Sequence, residues 1–280
     1  MYIDSIKGSV LSLVLLGIAA FFIPGHGQSE GVQTILTIST FLFAILAGFY
    51  ISRLNTRYDQ IRELVAQEDA LWLSVYKISQ FYGAEFQNRI RDLIDSYYII
   101  AYDHDVGTYY KHNAREFLQV FTELQTLKTP RDNNSDGLVS DYIMLLPQIE
   151  ICRNKSSVLI RERLAPGQWA TTVFLATIIL FSIFYLKTPE FYSQLSAVLL
   201  GTVLVLVLLT IRDLQNLRLW GQTVADESGQ EIFDFIGKPR YYNKLYIDEG
   251  VMIIPKELKT YRLGTHRPGD TPQITLIEIN

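Results

Sequence analysis

Residues Val32–Ser52, VQTILTISTFLFAILAGFYIS, decide the fold. The run carries no Asp, Glu, Lys or Arg. A bilayer core ~30 Å thick takes ~20 apolar residues to cross as a helix, so this run is long enough to span. Working outward, three more charge-free runs fall at or inside the usual ~17–25-residue window: Gly8–Pro24, Trp169–Leu186 and Leu195–Ile211. The connectors Gly25–Gly31 and Lys187–Gln194 are short, which pairs the runs into two helical hairpins. The first run has no small-x-small cleavage site. Ile23-Pro24-Gly25 leads directly to the second span, so the run is expected to stay as a membrane helix and not to be removed as a signal.

Flanking charges orient the hairpins. Arg53, Arg57 and Arg62 follow the second run, Arg153, Lys155, Arg161 and Arg163 precede the third, and Arg212 and Arg218 follow the fourth. The hairpin loops hold a single Lys187, offset by Glu190. Positive-inside counting then places both termini and the middle of the chain in the cytoplasm, in a plasma (inner) membrane of bacterial type. The expected fold is an all-α membrane protein: a first transmembrane hairpin (1–52), a cytoplasmic helical stalk (53–168), a second hairpin (169–211) and a small mixed cytoplasmic segment (212–280).

Composition narrows the function classes. A net charge of −4 over 280 residues provides no basic field for nucleic acid. The single Cys152 excludes an intramolecular disulfide and a cysteine zinc cluster. His26, His104, His112 and His266 lack metal-ligand partners at helical spacing, and no nucleophile–base pair, phosphate loop or cofactor motif is present. No metal, no cofactor and no enzymatic activity are therefore expected.

After Ser52 no Gly or Pro interrupts the chain until Gly83, which predicts one helix from the outer surface to about Tyr82. Tyr58, Ile61, Val65, Trp72, Val75 and Ser79 form its apolar stripe. Further helices are expected over Glu85–Asp103, Thr108–Lys128 (stopped by Pro130) and Leu138–Leu164, bent at Pro147, with a polar loop at Arg131–Gly137. Asp132–Gly137 matches the first half of a calcium-binding EF-hand loop. The twelfth position is Ile143, which cannot ligate, so the segment reads as a solvated turn. In 212–280, helix is expected to about Phe235, a hairpin over Lys244–Pro255 turning at Asp248-Glu249-Gly250, and one strand at Gln273–Ile279 in an irregular tail.

Within the second span, Phe41, Ile45 and Phe49 recur every four residues on one slowly drifting helix face, with Gly48 beside Phe49 to permit close helix approach. Arg53 and Arg57 continue the spacing. Several copies around an axis would present a dry apolar neck and a basic vestibule; equally, such residues face lipid or neighbouring helices in most spans. Glu68, between Val65 and Trp72 in the apolar stripe, must pair with an Arg or Tyr of another helix, reach a water-filled lumen, or be protonated. The pairs Tyr97-Tyr98, Tyr109-Tyr110 and Tyr241-Tyr242 read as packing residues.

Phe41-Leu42-Phe43-Ala44-Ile45-Leu46-Ala47-Gly48-Phe49-Tyr50-Ile51, with Arg53, Arg57 and Tyr58 after it, resembles the second-helix signature of bestrophins. The stretch from Arg57 to Tyr82 is similar to a group of prokaryotic bestrophin-like membrane proteins. The resemblance is strong over Phe41–Tyr82 and topological elsewhere. The tryptophans and acidic calcium clasp of the animal proteins are missing, and residues 212–280 align with nothing in the family. The resemblance implies a homopentameric ion channel with one axial pore, its neck at Phe41, Ile45 and Phe49, from a family with anion- and cation-selective members. The expected partners are thus the lipid bilayer, further copies of the chain and permeant small ions, chloride foremost given Arg53 and Arg57. The alternative is a non-conducting scaffold or sensor that binds a cytoplasmic partner.

Overall fold

The computed structural model describes residues 3–104, 108–126, 133–219, 222–223, 228–250 and 252–279. With no breaker after the second apolar run, the chain stays helical for 50 residues as α2 (Glu30–Ser79). A single 3-10 turn, Gln80–Tyr82, follows. Gly83 then adopts φ 96°, a value that costs a side-chain-bearing residue strain, and the helix ends there. The other helices up to Gln215 are α1 (Ser5–Phe22), α3 (Ala84–Asp103), α4 (Tyr109–His112), α5 (Ala114–Thr126), α6 (Asn133–Arg161), α7 (Pro166–Leu186) and α8 (Phe191–Gln215). The remainder holds β1 (Arg218–Leu219), β2 (Gln222–Thr223), α9 (Ser228–Phe235), β3 (Arg240–Asn243), α10 (Lys244–Asp248), β4 (Thr260–Gly264) and β5 (Ile274–Glu278). Among the described residues four helices, α1, α2, α7 and α8, are long and apolar enough to cross a membrane.

The chain divides into two compact units, 1–58 with 163–221 and 59–162 with 222–280, and α2 contributes to both. In the first, Phe43, Ala47, Tyr50 and Leu54 of α2 pack with Leu164, Ala176 and Ile179 and with Leu204, Ile211 and Leu214 of α8. Asp4 caps α1, accepting from the Lys7 N–H at 2.7 Å. Asp213 accepts from the Ser5 N–H at 2.8 Å, tying α1 to the end of α8. At the other end of the hairpins Lys187 donates to the Ala20 carbonyl, which α1 leaves without a helical partner. The core of the second unit is aromatic: Trp72, Tyr97, Tyr142, Phe233 and Tyr241 are fully buried, with Ile90, Ile94, Leu146 and Ile149 among them.

Several expectations are corrected. Thr108–Lys128 is not one helix: α4 and α5 are separated at Asn113, whose side chain binds Arg153 (residues 127–128 lie outside the described residues). Residues 133–137 open α6 and are not a loop. Helix stops at Gln215, and among the described residues the next helix begins at Ser228. Lys244–Asp248 is helical, because Asn243 accepts from the Leu245 N–H at 2.9 Å and starts a turn in place of the expected hairpin. The tail is a three-stranded sheet of order β3-β4-β5, parallel between β3 and β4 (Arg240↔Tyr261) and antiparallel between β4 and β5 (Arg262↔Leu276).

Candidate functional site

The inward stripe of α2 passes through Phe43, Ala47, Tyr50, Leu54, Arg57 and Ile61, at the 3–4 spacing of one helix face. At about 100° per residue, Phe41, Ile45 and Phe49 cluster on the opposite side. They are 66%, 54% and 66% exposed, and no helix among the described residues covers them. A methyl built on Gly48 would meet nothing within 4 Å, so any close approach at Gly48 would involve a helix from outside this chain. Arg53 is exposed on the same helix, just beyond its apolar run.

Arg57 does not share that exposure. It is 4% exposed, on the packed face one turn from Leu54 and Ile61, and its Nη1 donates to the Gln215 carbonyl at 3.1 Å. There it satisfies a carbonyl at the C-terminal end of α8, where a cation is favourable. Gln215 is the centre of this junction: its Oε1 accepts from the Leu164 N–H at 3.2 Å and the Trp169 Nε1–H at 2.9 Å. Sequence reasoning grouped Arg57 with Arg53 by their four-residue spacing. The stripe Leu54, Arg57, Ile61 was the signal that it points inward.

Glu68 is paired within its own unit. Tyr97 donates to Oε1 at 2.5 Å and Tyr109 to Oε2 at 2.8 Å, from α3 and α4. It lies sixteen residues beyond the apolar run of α2, and burial pushes its carboxyl up to about 7. The tyrosine hydrogen bonds oppose that rise, adjacent Asp69 adds to it and Arg153 opposes it. Burial, with Glu68 second, also pushes the Tyr97 and Tyr109 hydroxyls upward, so both remain donors. Asp69 accepts from Tyr98 at 2.6 Å. Arg153, not singled out from the sequence, lies over the rings of Phe117 (4.6 Å) and Tyr97 (5.4 Å).

Asp103 forms a second buried cluster that the sequence did not reveal. It accepts from Tyr241 at 2.5 Å, the Asn243 amide at 2.8 Å and His266 Nε2 at 2.7 Å. The Gln273 N–H donates to His266 Nδ1 at 3.1 Å, which places the ring proton on Nε2, facing Asp103. Arg262 adds a two-pronged pair with Asp95 at 2.6 and 2.9 Å. These contacts fasten the sheet to α3. Asp132 of the half-matched calcium loop lies outside the described residues. Among the described residues no group of three or more His, Cys, Asp or Glu is placed to hold a metal.

No curated protein and no solved structure matches the chain. A family model does: the Bestrophin-like domain matches residues 9–216, through both apolar hairpins and the helices between them and stopping short of the β3-β4-β5 sheet. With that match over most of its length, and four helices able to span a bilayer, the chain belongs to the bestrophin-like family of membrane proteins.

Proposed function

We propose that the protein is a homo-oligomeric channel, pentameric as the family resemblance implies. The α2 helices of its copies would line one axial pore conducting chloride or other small anions across a plasma (inner) membrane, with both termini cytoplasmic. One observation carries the reading: large apolar side chains, Phe41, Ile45 and Phe49, stand exposed on the α2 face opposite the packed one. Ringed by several copies, they form a neck that gates by dewetting, and Gly48 lets the neighbouring helices approach. Arg53 makes the cytoplasmic mouth positive and favours anions. Arg57, turned into the protomer, contributes its charge from behind the wall. Glu68 holds the helices of the second unit together and does not meet the ion. Membership of the bestrophin-like family, whose members are typically anion channels, supports the reading.

Arg53→Glu tests the vestibule. Under a KCl gradient its reversal potential moves towards that of potassium relative to the unmodified protein; an unchanged value removes Arg53 from the permeation path.

A further inference from the structure

Within the second unit, we propose that the groove between α5 and α6 binds a small monoanionic carboxylate with an apolar body, held by Arg153. The groove has a volume of about 380 Å³, inside the ~300–1,000 Å³ range of ligand sites. Phe117, Leu118 and Phe121 form its apolar wall, Arg153 lines it, and exposed Glu150 and Asn154 stand at its rim.

Among the described residues, no carboxylate of the chain is in hydrogen-bond contact with Arg153. It is 6% exposed, and Nη2 donates to the Tyr110 carbonyl and to Asn113 Oδ1, both at 2.7 Å. The guanidinium lies over the rings of Phe117 and Tyr97. Its Nε has no hydrogen-bond partner, nor has Nδ2 of the Asn113 amide bound to it. None of the ion pairs among the described residues includes Arg153. Glu68 acts on it only through space, since both its oxygens are taken by Tyr97 and Tyr109.

A buried cation held by neutral acceptors and rings is costly until an anion completes it. The fixed hydrogen bonds and ring contacts pre-orient the guanidinium; with both Nη2 hydrogens already donated, a carboxylate meets it through a remaining N–H and its charge. The wall of Phe117, Leu118 and Phe121 accepts an aromatic or short acyl body. Glu150 at the rim repels a second negative charge, which selects a monoanion over a dianion.

Benzoate is the probe, titrated calorimetrically into the full-length protein in detergent at constant chloride, with benzyl alcohol as its uncharged counterpart. Benzoate is expected to bind at least ~10-fold more tightly than benzyl alcohol. Leu118→Glu places a carboxylate on the exposed lip without touching the core, and is expected to weaken benzoate ~10-fold while the thermal unfolding midpoint stays unchanged. Arg153→Gln removes binding. No binding of benzoate up to ~10 mM overturns the proposal. So does equal affinity for benzoate and benzyl alcohol, or benzoate affinity unmoved in Leu118→Glu. Because the readout is binding and not current, it succeeds or fails independently of the channel reading.

Discussion

Glu68 is buried in the packed face of α2, and two tyrosine hydroxyls donate to its carboxyl. Its carboxyl is raised from 4.5 to about 7, so the folded protein holds a proton that the unfolded chain releases. The stability this confers is fully present below about pH 4.5 and is lost as pH rises to about 7; by linkage the difference is on the order of 3 kcal/mol. Glu68→Gln should flatten that part of the pH dependence when thermal unfolding in detergent is compared at pH 5 and pH 8. An unaltered slope would place the titration elsewhere. Tyr97→Phe removes a donor that favours the ionised form, so its destabilisation, about 1–3 kcal/mol, should be greater at pH 8 than at pH 5. From the sequence, an acid amid apolar residues was legible as a group needing partners, and tyrosine was one named possibility. Which tyrosines was not legible, because α3 and α4 reach Glu68 from 29 and 41 residues away.

Elements were legible where hydropathy or a breaker dictates them. The 50-residue α2, its end at Gly83 and the strand at Ile274–Glu278 follow from local pattern. The β3–β4 pairing does not, since four-residue Arg240–Asn243 gains its strand partner from Thr260–Gly264, and its burial from Asp103 on α3. Asp103→Ala leaves Tyr241, Asn243 and His266 without their common acceptor. It is expected to cost about 2–4 kcal/mol and to make residues 240–279 cleavable by limited proteolysis while α2 stays protected. Cleavage unchanged from the parent would show that the sheet is held by packing alone. The hairpin loops rest on a closer fit: a methyl on Gly25 would lie 1.9 Å from the Lys187 carbonyl oxygen, beside the His26–Tyr185 stack (4.7 Å, 7°). Gly25→Ala should therefore lower stability by about 1–3 kcal/mol in the same thermal assay; a neutral result would mean that the loops part without cost.

At the scale of the whole molecule, hydropathy and basic flanks announced two hairpins and a large helical remainder, because a bilayer accepts few alternatives to a satisfied helix. The face of α2 was harder to read. Four-residue spacing marks a stripe, but only packing tells which side of the helix the rest of the chain covers. That packing leaves Phe41, Ile45 and Phe49 outward and draws Arg57 in. In the proposed channel, copies of this face enclose an ion path. Its most direct test is the current carried by purified protein in a planar bilayer under a KCl gradient, with Phe49→Ala beside the parent. A current reversing near the chloride equilibrium potential is expected, with severalfold greater conductance in Phe49→Ala. Full incorporation of both proteins with no current from either would contradict it, and would favour a scaffold in the membrane.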